Sequence, residues 1–158
     1  MITVEINGEE RQYPQGATYE DVANDYQKEY DNLIALAARD GKIRELFKKL
    51  TRDCEITFFT LKDDVGNKTY VRSATMLFLK AVFDVFGRET VQNCRVEFAI
   101  GNGSYISPKG KINATEENAA KIRNRMRELV EAKTPFLKKS YSLDNAMELF
   151  RREGMKDK

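Results

Sequence analysis

The residue types that carry most acid–base and metal chemistry are scarce in this chain. Its 158 residues include no histidine and two cysteines, Cys54 and Cys94. Histidine is the commonest general base and metal ligand, so Ser-His-Asp triads, Cys-His pairs and histidine-based zinc sites are excluded. Two cysteines are too few for a cysteine-only zinc site, and both lie in apolar, strand-like runs, which predicts buried thiols. We expect no metal and no cofactor.

Two short polar groupings could still bind a ligand. The Gly-Asn-Gly-Ser run at 101–104 could offer backbone N–H groups to an anion, although such a run is more often a turn between strands. Asp63 and Asp64 could suggest a divalent cation. Adjacent carboxylates point apart unless a loop turns them together, so a solvated linker is the favoured interpretation.

A third grouping is a set of cations on one predicted helix, which could contact RNA phosphates without reading sequence. A charged outer face is also the commonest solubility device, so this alternative stays open. The chain has nine Phe and seven Tyr, but most fall at core spacing and do not predict an exposed set for base stacking. The cations of the predicted helix are Lys121, Arg123, Arg125 and Arg127.

Length and charge limit the class of protein further. A chain of 158 residues allows one ordinary domain or two small ones. Residues 1–61 hold 8 Lys/Arg against 12 Asp/Glu, whereas residues 62–158 hold 19 against 13. The second part is therefore the better surface for an anionic partner. No apolar run approaches the ~20 residues of a membrane span and no secretory pattern opens the chain, so we expect a cytoplasmic protein without a membrane partner.

The first sixty residues predict a β-grasp, in which one helix lies across a mixed sheet. Asn7-Gly8 is a strong hairpin signal because both central residues of a type I′ turn need positive φ. Strands 2–6 and 9–13 should therefore pair. Thr18 should cap a helix over 19–29, followed by strands at 33–38 and 54–60.

The rest of the chain predicts a second small α+β domain. A long apolar helix over 70–86 should end at Gly87. Strands should follow at 95–100 and 104–107, and a further strand at 136–141. Thr115 and Ser142 should cap helices over 116–132 and 144–152. The predicted domains are 1–61 and 68–158, joined by a linker at 62–67.

At this level the sequence resembles two known modules. ITVEINGEERQYPQGATYEDVA resembles a TGS domain, a ubiquitin-like β-grasp. RSATMLFLKAVFDVFG, FAIGNGSYIS, ATEENAAKIRNRMRELVEAKTPF and SLDNAMELFRREGMKDK are similar to the second N-terminal domain of threonyl-tRNA synthetases, which in that family removes mischarged serine. The resemblance implies an α+β fold in which a TGS domain precedes an editing-like domain. It covers nearly the whole chain.

The chain departs from the editing family where the chemistry lies. That family begins its central helix with His-x-x-x-His, and the matching positions here are Arg72 and Met76. Neither side chain can act as a general base or bind zinc. Because of this departure we expect no catalytic residue. An inert pocket and an ordinary helix surface are the two alternatives for these positions. The candidate ligand-binding residues are Arg72, Met76, Gly101, Asn102, Gly103 and Tyr105.

KTYVRS, GNGSYI and AMELFRREGM resemble the N-terminal half of bacterial nucleoside kinases of the uridine kinase type, where a P-loop kinase domain follows. The chain has no Gly-x-x-x-x-Gly-Lys-Ser/Thr motif of its own. The resemblance implies a non-enzymatic regulatory region that binds a nucleoside or nucleotide beside a C-terminal kinase domain. The alternative is a tRNA-binding N-terminal segment of a threonyl-tRNA synthetase or a related aminoacyl-tRNA-processing protein. A pure interaction module is the third possibility.

Overall fold

The computed structural model of the chain describes residues 1–101, 103–108 and 113–154. The chain divides into two compact units, Met1–Ser73 and Ala74–Lys158. Each unit combines strands with helices, so the predicted α+β class is confirmed.

The first unit is a five-stranded mixed sheet with one α-helix. Its strands lie in the order β2-β1-β5-β3-β4. β1 runs parallel to β5, while the other neighbouring pairs are antiparallel. This is the predicted β-grasp arrangement, with β4 as an added edge strand that the sequence did not predict. The elements are β1 (Ile2–Ile6), β2 (Glu9–Tyr13), α1 (Tyr19–Tyr26), β3 (Ile34–Arg39), β4 (Lys42–Arg44) and β5 (Cys54–Thr60), with a 3-10 turn at Gln27–Glu29 after α1.

Local turn chemistry explains how this unit begins. Asn7 and Gly8 adopt φ of 53° and 82°, and the strands they join pair from Ile6 and Glu9 outward, which confirms the predicted hairpin. Thr18 caps α1 by accepting a hydrogen bond from the backbone N–H of Asp21, and the Asp21 carboxylate accepts one from the Thr18 N–H in return. These hydrogen bonds to its charged form hold the pKa of Asp21 below its usual range.

The core of the first unit lies between α1 and the sheet. The apolar side chains of α1 recur at helical spacing, so they fall on one face and are all buried. They pack in one cluster with inward-facing residues of the strands, and this removal of apolar surface from water supplies most of the stabilisation. The buried α1 residues are Tyr19, Val22, Ala23 and Tyr26, and their strand partners include Val4, Ile6, Ile56 and Phe58.

The division between the units falls within one long helix, α2 (Asp64–Phe86), which ends at Gly87 with φ of 83° as predicted. The second unit continues with a two-stranded antiparallel sheet and three further helices. Thr115 and Ser142 cap two of these helices, as the sequence predicted. The elements are α3 (Arg88–Asn93), β6 (Cys94–Ile100), β7 (Gly103–Pro108), α4 (Glu116–Glu131) and α5 (Leu143–Arg152).

Besides β4, three elements differ from the sequence predictions. α2 begins at Asp64, so most of the polar stretch predicted as a linker at 62–67 is helical. The short helix α3 was not predicted. The strand predicted at 136–141 is irregular and exposed, since no strand in the described part of the chain pairs with it. The domain boundaries at 61 and 68 stay a prediction.

Gly66 permits the close approach between the start of α2 and the end of β5. A Cβ atom at this position would overlap the Thr60 carbonyl group, coming within 2.8 Å of its carbon. These atoms belong to the Thr60 backbone, so no flexible side chain can move aside, and glycine is required here for space.

We expect Gly66→Ala to destabilise the chain by about 2 kcal/mol through this overlap. Alanine favours a helix over glycine by about 1 kcal/mol, so helix propensity alone predicts the opposite sign. Urea unfolding would measure the change, with the exposed neighbour Asn67→Ala as the matched control. An unchanged or raised stability in Gly66→Ala would contradict the packing.

Candidate functional site

Arg72 and Met76, the two residues that the resemblance sets in the place of histidines, lie on α2 four residues apart. This spacing puts them on one helix face. Both side chains are exposed, Met76 by 58%. An exposed guanidinium and an exposed thioether offer no group that could take a proton from water.

The Gly-rich run lies at the tip of the β6–β7 hairpin. Gly101 lies in a turn with φ of 55°, and Gly103 opens β7. Asn102 lies outside the described residues. Tyr105 is 47% exposed and stacks on Phe98, with ring centroids 5.2 Å apart and planes at 25°. Sequence reasoning singled out Tyr105 but missed Phe98.

The four cations of α4 are not equivalent. Lys121 is 2.7 Å from Glu117, and Arg123 is 3.4 Å from Glu116. Arg125 contacts Glu128 at 2.8 Å and Asp84 of α2 at 2.9 Å. Arg127 is exposed and makes no ion pair within the described part of the chain.

Asp84 joins α2 to α4 inside the second unit. Its side chain is 17% exposed, and its carboxylate accepts hydrogen bonds from Lys80 and Arg125. The bond from Lys80, followed by the bond from Arg125, holds the pKa of Asp84 below its ordinary value. The guanidinium of Arg125 therefore stabilises the packing of α4 against α2, and it is not free to bind a ligand.

A cavity of about 330 Å³ lies between α2, the β6–β7 hairpin and the start of α4. Phe78 and Val82 line it from α2. Its walls are mainly apolar, and Glu116 is the ionisable carboxylate among its lining residues. The other lining residues are Cys94, Ile106, Asn113, Ala114, Thr115, Asn118, Ala119 and Ile122.

Burial and hydrogen bonding describe the surroundings of the two cysteines and of Asp63. Cys94 is buried, as predicted, whereas Cys54 is only partly buried, and its burial raises the pKa of its thiol. Asp63 accepts hydrogen bonds from the backbone N–H and hydroxyl of Thr60 at 2.6 and 2.9 Å. Across residues 1–101, 103–108 and 113–154, no three His, Cys, Asp or Glu side chains gather as a metal site would require.

None of the helices in the described ranges is long and apolar enough to cross a bilayer.

The fold and these surfaces define an α+β protein in which a β-grasp precedes a second unit. In that second unit, α4 carries several cations, most of which form ion pairs with carboxylates. No family model matches the chain. It is 29% identical over 154 residues to the threonine–tRNA ligase of Thermotoga maritima, a match that covers 95% of this chain and 23% of that protein. The threonine–tRNA ligases of Maricaulis maris and Agrobacterium fabrum are each 28% identical over 98% and 94% of this chain.

These relatives are similar to the chain along nearly its whole length, which agrees with a threonyl-tRNA synthetase-like protein. The chain itself spans about a quarter of the length of the relatives it matches. They lend no support to the nucleoside-kinase interpretation. They favour the alternative, an aminoacyl-tRNA-processing segment.

The Asp84 pairing makes a prediction about pH. Because the pKa of Asp84 is lowered in the folded chain, its contribution to stability is present above the unfolded pKa of about 3.9 and is lost as pH falls through the folded pKa. We expect Asp84→Asn to lower the free energy of unfolding by about 0.5 kcal/mol at pH 7. The difference in the free energy of unfolding between Asp84→Asn and wild type should shrink below pH 3.

Urea unfolding of both proteins across this range would measure it, with the exposed Glu148→Gln as the control. An equal penalty at neutral and acid pH would show that Asp84 does not act through its charge.

Proposed function

We propose that this chain is a non-catalytic, tRNA-binding segment of the threonyl-tRNA synthetase type. The observation that carries the proposal is similarity to threonine–tRNA ligases over about 95% of the chain. That similarity extends through both units, so it supports the tandem arrangement more strongly than a match to one small module would.

The residue types argue that the segment does not edit. Removal of an amino acid from tRNA by hydrolysis needs a group that activates water, and the chain has no histidine for this role. Arg72 and Met76 cannot replace the family's two imidazoles, since guanidinium stays protonated and thioether is not a base. Cys94 is buried and cannot reach an ester.

Charge supports an anionic partner for the second half. Residues 62–158 carry 19 Lys/Arg against 13 Asp/Glu. Arg127 is exposed, while Lys121, Arg123 and Arg125 each contact a carboxylate. Phosphate contacts of this kind give affinity without sequence readout. We therefore assign Arg127 the leading phosphate contact of α4 and the other three cations a secondary role.

Salt dependence of tRNA binding tests the proposal. Log affinity should fall linearly with log salt concentration, and Arg127→Ala should reduce the magnitude of the slope by about one. Fluorescence anisotropy of labelled tRNA would measure both. Arg52→Ala is the matched control, because Arg52 is an exposed arginine of the first unit paired with Asp40.

Failure of the chain to bind tRNA at low salt would overturn the proposal. A salt-independent thermal shift with a nucleoside, in the absence of tRNA binding, would also contradict it and favour the regulatory region of a nucleoside kinase. Wild-type slope in Arg127→Ala would remove that residue from the interface.

A further inference from the structure

The β6–β7 hairpin presents two aromatic rings to solvent rather than to a core. Phe98 and Tyr105 are 57% and 47% exposed, and neighbouring Ile100 is 60% exposed. Large apolar side chains grouped on one exposed surface commonly mark an interaction site. Each stacked ring covers part of the other, and about half of each residue stays exposed to solvent.

A β-bulge puts these side chains together. The pairing register shifts between Val96 and Phe98, so an extra residue, Glu97, stands in β6 at this point. An extra residue reverses which face the following side chains occupy. Phe98 therefore joins Tyr105 on one face, whereas Cys94 and Ile106 line the internal cavity on the other.

A cation lies on the same face as the rings. Arg95 pairs in register with Ser107, which is two residues from Tyr105, so the alternation of a strand puts the three on one side. Arg95 is exposed. The unit that carries this surface, residues 74–158, holds 16 Lys/Arg against 11 Asp/Glu.

We propose that Phe98 and Tyr105 form a stacking platform for unpaired RNA bases. Aromatic rings on a sheet face with nearby cations are a recurrent way to bind single-stranded nucleic acid, because every base has a flat face and every nucleotide a charge. The net positive charge of the unit favours RNA over an apolar peptide as the occupant.

This inference rests on the proposed function. It specifies in addition that the second unit binds unpaired bases of the RNA. Phosphate contacts along α4 would hold paired and unpaired RNA alike. The platform, in contrast, requires bases that are free to stack, such as those at a single-stranded end or in a loop.

The test compares two RNA probes of equal length on the full chain, one unstructured strand and one blunt hairpin without unpaired ends. Phe98→Ala and Tyr105→Ala should each weaken binding of the unstructured strand about ten-fold, by loss of stacking. Binding of the hairpin should change less than two-fold. Tyr105→Phe should keep wild-type affinity because it retains the ring, and Phe47→Ala, an exposed aromatic of the first unit, is the control.

A second measurement does not depend on how the variants fold. Wild-type chain bound to a strand containing 5-iodouridine should photocrosslink at Phe98 or Tyr105, mapped by mass spectrometry of the peptides. Crosslinks confined to other segments would overturn the platform.

The outcomes separate this inference from the proposed function. Wild-type affinity for the unstructured strand in both alanine variants would reject the platform while tRNA binding still stood. Self-association of the wild-type chain that is lost in Phe98→Ala, with RNA binding unchanged, would instead identify the surface as a contact between copies. No binding of either probe or of tRNA would reject both.

Discussion

The close approach of Gly66 to the Thr60 carbonyl group fixes where the longest helix of the molecule begins. Asp63 reinforces this junction by accepting hydrogen bonds from Thr60 just before the helix starts. Within the first unit, the position of Arg72 on α2 follows from that start at 1.5 Å and 100° per residue.

α2 has different tasks along its length. Its middle carries the exposed Arg72 and Met76, the residues that the resemblance sets in the place of histidines. Further along, Phe78 and Val82 line the apolar cavity, and Asp84 anchors α4 through Arg125. The helix therefore combines packing residues with exposed positions whose side chains supply no general base.

Much of the first unit was predictable because its signals are local. Asn7-Gly8 determines a turn, Thr18 a helix start, and the alternation of apolar residues the strand faces. β4 was missed because Lys42–Arg44 is short and polar and becomes a strand only through pairing with β3. The start of α2 was placed too late, since a polar stretch with Gly66 favours a loop by propensity. Its packing against Thr60 outweighs that preference.

The candidate surfaces were harder to predict for the same reason. The sequence set four cations on one predicted helix, and α4 carries them, but the contact of Arg125 with Asp84 depends on the approach of α2. Most of the aromatics were expected at core positions, but Phe98 is exposed, as is Tyr105, which was a candidate ligand-binding residue. Strict alternation from Cys94 puts Phe98 on the inner face, and only the bulge turns it outward. A bulge has no dependable signal in a single sequence.

We propose that this chain, a segment of the threonyl-tRNA synthetase type, binds tRNA but does not hydrolyse the aminoacyl ester. A time course of seryl-tRNA mixed with a saturating amount of the chain tests it most directly, because one experiment follows both the ester and the complex. The account predicts a complex in which serine is released no faster than it is without protein. Turnover that survives repurification and is lost in Arg72→Ala would contradict it.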